Sequence, residues 1–282
     1  LQTQDKMVLE LLQNNLWLRP IYFANTVSRD GLLGLDDYFQ FEGKAFRIVP
    51  KARETGPFGY VDTEVHADRL SQFKFTLWDS PDVYFDENIR RMLGNYRYGF
   101  TQLADAFIDQ GDPESAAYWL KYGEDNIPFR EIEHDWTVAT LYAFRYMKVD
   151  EVERANQLAY FISERLRYYL KYDMEKLNSL EERISSLDEE IQMARARART
   201  DDARSLQDRR ERLISQRESV IEDVSFAVSR LSILQNIFFE HDDEETAELL
   251  RLDVQFITDG RLGLPDSIEA SRERIEMFGL NN

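Results

Sequence analysis

The sequence predicts a mainly helical protein opened by a small α+β unit, and three observations carry that expectation. Residues 14–50, NNLWLRPIYFANTVSRDGLLGLDDYFQFEGKAFRIVP, mix aromatics, turn residues and single charges in a way that no one period explains. From Asp86 onward apolar residues recur at helical spacing, in a layout like that of tetratricopeptide repeats. Between about 173 and 218 the apolar positions step by three and four, as in an antiparallel coiled-coil hairpin. The expected domains are an α+β unit over 1–85 and a helical-repeat domain over 86–282, with the coiled-coil arm inserted at about 173–218.

Met7, Val8, Leu11 and Leu12 give residues 5–15 a short helix stripe. Pro20 blocks its continuation, and Ile21–Ala24 reads as a strand. Gly31 and Gly34 mark turns. Leu35–Phe41 reads as one or two helical turns and Ala45–Val49 as a second strand. A loop with Gly56, Pro57 and Gly59 precedes a helix near Thr63–Gln72. Ile89, Met92, Leu93, Tyr96, Phe100, Leu103, Ala104 and Phe107 then share one helical face. Gly111 ends that helix, Asp112 suits an N-cap and Pro113 the first turn of the next helix, which runs on to Pro128. A second helical pair is expected at about 135–148 and 151–172, with Asp150 and Glu153 spaced as a capping box.

In the arm, Leu177, Leu180, Ile184, Leu187, Ile191, Ala194 and Ala198 form the outbound seam. Leu206, Leu213, Val220 and Val224 form the return. A fold near residue 200 pairs positions whose numbers sum to about 400. Ile184 and Ile191 then face Arg217 and Arg209 or Arg210, whose aliphatic stems can cover them. The outbound limb projects ~40 Å at 1.5 Å per residue. The return limb runs into 226–240, a helix follows at 244–259, and the last helix opens after Pro265 with Asp266 and Glu269 as a capping box, stopping at Gly279.

Composition sets outer limits on function. The net charge is −18, with 53 acids against 35 bases, which argues against nucleic acid and against anionic membrane surfaces as partners. There is no cysteine, so disulfides, thiolate metal sites and cysteine nucleophiles are excluded. No apolar run approaches the ~20 residues that span a bilayer. The chain begins at Leu1 rather than Met and reads as a piece of a longer protein.

Candidate chemistry is sparse. His241–Glu245 collects metal-ligand residue types, but they are consecutive, and acids favour a first helical turn. Asp79, Asp82, Asp86 and Glu87 lack the spacing and central glycine of a calcium loop. Asp36 and Asp37 form an acidic pair that also suits a plain helix start. His66, His134 and Asp135 have no serine elbow and no phosphate-cradling glycine loop to work with. No catalytic residue, metal site or cofactor is therefore assigned. Trp17, Arg19, Tyr22, Asp37, Tyr38 and Arg47 are the candidate substrate-binding set, because aromatic faces and guanidinium forks suit a sugar or peptide. The same residue types are also what a small domain uses to pack and tie strands together, and that structural duty is the commoner one for such a set.

NNLWLRPIYFA, GLDDYFQFEGKAFRIVP and DSPDVYFDENIRRML together resemble the carboxy-terminal soluble part of bacterial protein O-mannosyltransferase-like glycosyltransferases, a family of multi-pass membrane proteins also present in animals. The resemblance covers about residues 5–128 well and the following helices loosely, and the arm departs from it. It implies a membrane bundle, outside this chain, that carries the transferase chemistry with a lipid-phosphate-linked sugar. It also implies a helical-repeat tail on the extracytoplasmic (periplasmic) face, tethered by transmembrane helices. Here the expected function is that of a non-catalytic accessory domain whose partners are the parent membrane domain and an acceptor protein or peptide. A protein–protein scaffold is the alternative, and a homodimer through the arm is compatible with either. A stand-alone hydrolase would need two carboxyls ~5–9.5 Å apart in a cleft.

Overall fold

The computed structural model describes residues 3–27, 29–52, 59–76, 83–130, 136–197 and 199–277. Gly56, Pro57, Asp79, Asp82, His134, Asp135, Ala198 and Gly279 lie outside the described residues. The architecture is mainly α with a three-stranded antiparallel sheet near the amino terminus, as the sequence predicts. The chain forms two compact units, Leu1–Glu151 and Val152–Asn282.

In the first unit, α1 (Thr3–Asn15) leads to β1 (Tyr22–Ala24), β2 (Phe39–Glu42) and β3 (Ala45–Ile48), in the order β1-β3-β2. The expected helix over Leu35–Phe41 is corrected: only Asp36–Tyr38 forms a 3-10 turn, and Phe39 already begins a strand. The reason is the alternation Phe39-Gln40-Phe41-Glu42, which has period two and β-favouring aromatics. Gly43, at φ +65°, then closes a tight hairpin back into β3. Phe39, Phe41, Phe46 and Ile48 pack with Leu32 into one core, against which Leu12, Phe23, Leu35 and Val61 lie. Successive rings meet at centroid distances of 5.0–5.6 Å, in tilted and edge-on arrangements.

Helix α2 (Thr63–Ser71) is capped by Asp62, whose carboxylate accepts from Val65 N at 3.1 Å. Its fully buried His66 joins three elements. Nδ1 lies 3.0 Å from both the Gly43 backbone nitrogen and Phe41 O, and Nε2 lies 3.0 Å from Gly99 O. The tautomer protonated on Nε2 accepts from Gly43 N–H and donates to Gly99 O together. Burial holds this imidazole below its ordinary pKa, so it is a neutral structural bracket.

Helices α3 (Glu87–Asp109) and α4 (Pro113–Asn126) form the predicted helical hairpin. Gly111 at φ +75° donates to Ile108 O, and Asp112 N–H donates to Phe107 O, which closes α3. The Asp112 side chain then accepts from Ser115 N at 3.0 Å and starts α4. Asp86 caps α3 through Ile89 N, an ordinary cap rather than a calcium ligand. Arg97 of α3 is fully buried: its guanidinium donates to Ile127 O and Pro128 O at 3.1 and 2.8 Å and lies over the Phe129 ring. These carbonyls end α4, so a cation here also meets the negative end of the helix dipole. Helix α5 (Trp136–Lys148) packs on α3 and α4. Asp150, at φ +60°, closes α5 as its left-handed terminal residue, with Glu151 N–H reaching Tyr146 O at 2.9 Å. It does not take the capping-box role expected of it.

In the second unit, α6 (Val152–Ala196) runs unbroken for 45 residues, merging the expected repeat helix and outbound limb. No glycine or proline lies between 152 and 196 to stop it. Helix α7 (Thr200–Glu240) returns along it. Leu177, Leu180, Ile184, Leu187, Ile191 and Ala194 are buried with Ala203, Leu213, Val220 and Val224. The register is the predicted one: Arg210 pairs with Asp188 at 2.5 Å and Arg195 with Gln207 at 3.1 Å. Arg217 and Arg210 are half-buried, as covering stems should be. Helices α8 (Glu244–Ile257) and α9 (Ile268–Met277) pack on the carboxy-terminal part of α7. Asp243 caps α8 through Thr246 N, so the His241–Glu245 run is a helix junction. The start of α9 is corrected: Ser267, not Asp266, is the cap, accepting from Ala270 N at 3.3 Å. Among the described residues, no helix is long and apolar enough to cross a membrane.

Candidate functional site

The pleat of the small sheet sorts its side chains onto two faces. Phe23, Phe46 and Phe41 are register partners on the core face. One position along, Tyr22, Arg47 and Gln40 align across all three strands on the opposite face. Glu42, two residues after Gln40, shares that polar face.

Glu42 is the centre of the site. Its side chain is 1% exposed, yet it is an acid on a strand. Burying such a group is costly unless its oxygens are filled. Tyr22 Oη donates to Oε2 at 3.0 Å, Gln40 Nε2 to Oε1 at 3.0 Å and Arg47 Nη1 to Oε1 at 3.4 Å. The Arg69 guanidinium of α2 stands 4.0 Å from Oε2. Burial, followed by the hydrogen bond to Glu42, raises the Tyr22 phenol above its usual pKa, which keeps it a donor. The outer surfaces stay wet, with the Arg47 and Arg69 side chains 42% and 46% exposed and Tyr22 44% exposed.

Chemically, the arrangement offers hydrogen-bond donors and a ring face around a carboxylate whose oxygens are already engaged. The carboxylate is occupied by three donors, and no second carboxylate is among its direct partners, so the paired-acid geometry of a glycosidase is not built here. What faces outward is one phenol ring and two guanidinium forks. These can stack on and hydrogen-bond to hydroxyl- or carboxylate-bearing groups.

Of the residues singled out from sequence, the structure brings Tyr22 and Arg47 together around Glu42. Among the described residues, Trp17, Arg19, Asp37 and Tyr38 contribute no side chain to this network. Trp17 and Arg19 are exposed in the turn before β1, where Asn15 Nδ2 donates to Arg19 O at 2.6 Å. Asp37 and Tyr38 are exposed in the 3-10 turn. Sequence reasoning missed Glu42, Gln40 and Arg69. The signal was the Phe-Gln-Phe-Glu alternation, which, read as a strand, puts Gln40 and Glu42 on the same face. Among the described residues, no group of three or more acidic or histidine side chains could hold a metal ion.

Comparison with known proteins bears on this same segment. The family model described as TMEM260-associated domain 2 matches residues 1–65, the stretch that holds the sheet and the first residues of α2. Neither the curated proteins nor the solved structures yield a match to the chain.

Proposed function

We propose that this chain is a non-catalytic accessory module of a membrane-embedded, protein O-mannosyltransferase-like glycosyltransferase, held on the extracytoplasmic face and engaging the acceptor protein or the transferase site. The observation that carries this reading is the Glu42 network: a buried acid spent on orienting Tyr22, Arg47 and Arg69, whose exposed sides form a binding surface. The matched family is linked to a membrane protein, and its match takes in Tyr22, Glu42 and Arg47 of this surface though not Arg69, which supports the reading.

The test uses the full-length protein. Tyr22→Phe together with Arg47→Ala should lower transfer of sugar to acceptor about tenfold, equivalent to ~1.4 kcal/mol. The double variant leaves the buried Glu42 with fewer donors, so its stability should fall, and transfer is compared per amount of folded protein, with folding checked by circular dichroism. Unchanged transfer by the folded double variant refutes the site. Sugar transfer or glycoside turnover by the isolated chain refutes its non-catalytic role. The arm formed by α6 and α7 favours a second reading, a scaffold or homodimer joined through that arm. Deleting residues 182–216 would then abolish partner capture or dimerisation while leaving glycosylation intact.

A further inference from the structure

The turn between α1 and β1 holds its most apolar residues outward. Leu16, Trp17 and Leu18 are 71%, 51% and 81% exposed. Leu16 and Trp17 sit at φ 49° and 59°, the left-handed region that bulky side chains avoid. The strain is not offset by burial of either side chain within the chain itself, and such strain gathers where a segment is shaped for a partner. On α1, Met7 and Leu11 lie one helical turn apart and are also exposed, at 65% and 54%. Residues 7–18 contain one charge, Glu10, in a chain of net charge −18. Exposed Arg19 follows directly.

We infer that Leu16, Trp17 and Leu18 dip into the interface of a zwitterionic lipid bilayer. Three consecutive apolar side chains are exposed together around one tip. A rigid protein groove takes one or two of them, whereas a fluid apolar phase takes all three. Tryptophan suits the boundary because its ring is apolar and its N–H stays hydrogen-bonded near the headgroups. Arg19 can reach lipid phosphate from the edge. The tip is nearly uncharged while the rest of the chain is acidic, so neutral headgroups fit and anionic ones repel.

The inference takes its cellular setting from the membrane-tethered function proposed above. The experiment measures lipid contact alone, so its failure leaves the glycosylation test standing. The chain is cosedimented with phosphatidylcholine vesicles and with vesicles containing phosphatidylglycerol. Leu16→Asn/Trp17→Asn is the main variant, because asparagine tolerates the left-handed conformation and the turn keeps its shape. Leu18→Asn is the second. Each should lower partitioning into phosphatidylcholine at least tenfold with unchanged helix content by circular dichroism. Adding phosphatidylglycerol should weaken wild-type binding at low salt. No wild-type partitioning, equal partitioning by the variants, or binding that requires anionic lipid and disappears in salt would each overturn the inference.

Discussion

Gly123 is where α4 comes closest to its neighbours, and Gly123→Ala tests how rigid that contact is. A Cβ built there would lie 2.3 Å from Tyr142 Oη and 2.7–2.8 Å from the Phe100 ring, whereas ordinary contact begins near 3.4 Å. Something must therefore move by about 1 Å. Both obstructing side chains are fully buried, so neither can swing into solvent. Tyr142 Oη also donates to Arg97 O at 3.3 Å, and displacement endangers that bond. Overpacking costs about 1–3 kcal/mol, and the hydrogen bond adds ~1 kcal/mol. Alanine's better helix propensity returns ~1 kcal/mol. The net expectation is about 2 kcal/mol of destabilisation. With a urea m-value near 2 kcal/mol/M, the midpoint falls by about 1 M. All four tryptophans lie before residue 152, so their fluorescence reports the first unit. Tyr142→Phe removes the closest atom, and combining it with Gly123→Ala should recover about 1 kcal/mol as coupling. A Gly123→Ala protein as stable as wild type, or more so, would refute the packing argument.

Two further outcomes follow from local chemistry. His66 is held neutral by burial, so its folded pKa lies below the ordinary 6.5. As pH falls below ~6.5 the unfolded chain binds a proton that the folded chain refuses, and stability drops until the folded pKa is reached. The tryptophan-detected urea midpoint should thus fall between pH 7.5 and 5.5, and a His66→Asn variant should lose that part of the slope. Asp242 closes α7 at φ +57°, with Asp243 N–H reaching Phe238 O at 2.9 Å, a position that suits glycine. It also sets an acid at the negative end of a helix. Asp242→Gly should stabilise the second unit by ~1 kcal/mol, raising its calorimetric Tm by about 2–4 °C, while Asp242→Ala should not. A lower Tm for the glycine variant would show that the aspartate serves something other than the turn.

Several features were legible because their causes are local. The Gly111-Asp112-Pro113 junction, the Asp243 cap and the heptad seam of the arm each depend on residues within a few turns of one another. The arm register needed only a pairing rule, and Asp188 with Arg210 obeys it. Leu35–Phe41 failed because Asp36 and Asp37 signal a helix start while the next four residues alternate like a strand. The alternation prevailed once β3 was available to pair with. The candidate site was half visible: Tyr22 and Arg47 stand out by type, whereas Glu42 looks like an ordinary surface acid.

By itself the sequence determined most of the helices, the Gly111-Asp112-Pro113 junction, the antiparallel arm and the helical class of most of the chain. Periodicity, capping and β-propensity act between near neighbours, so a string of residues records them. Tertiary structure alone decided that Glu42 is buried under a phenol and two guanidiniums, that Arg97 ends α4 from inside α3, and that Gly123 admits no methyl group. Those facts depend on strand register and helix approach. Both are fixed when the whole core closes, through contacts 20 to 45 positions apart along the chain.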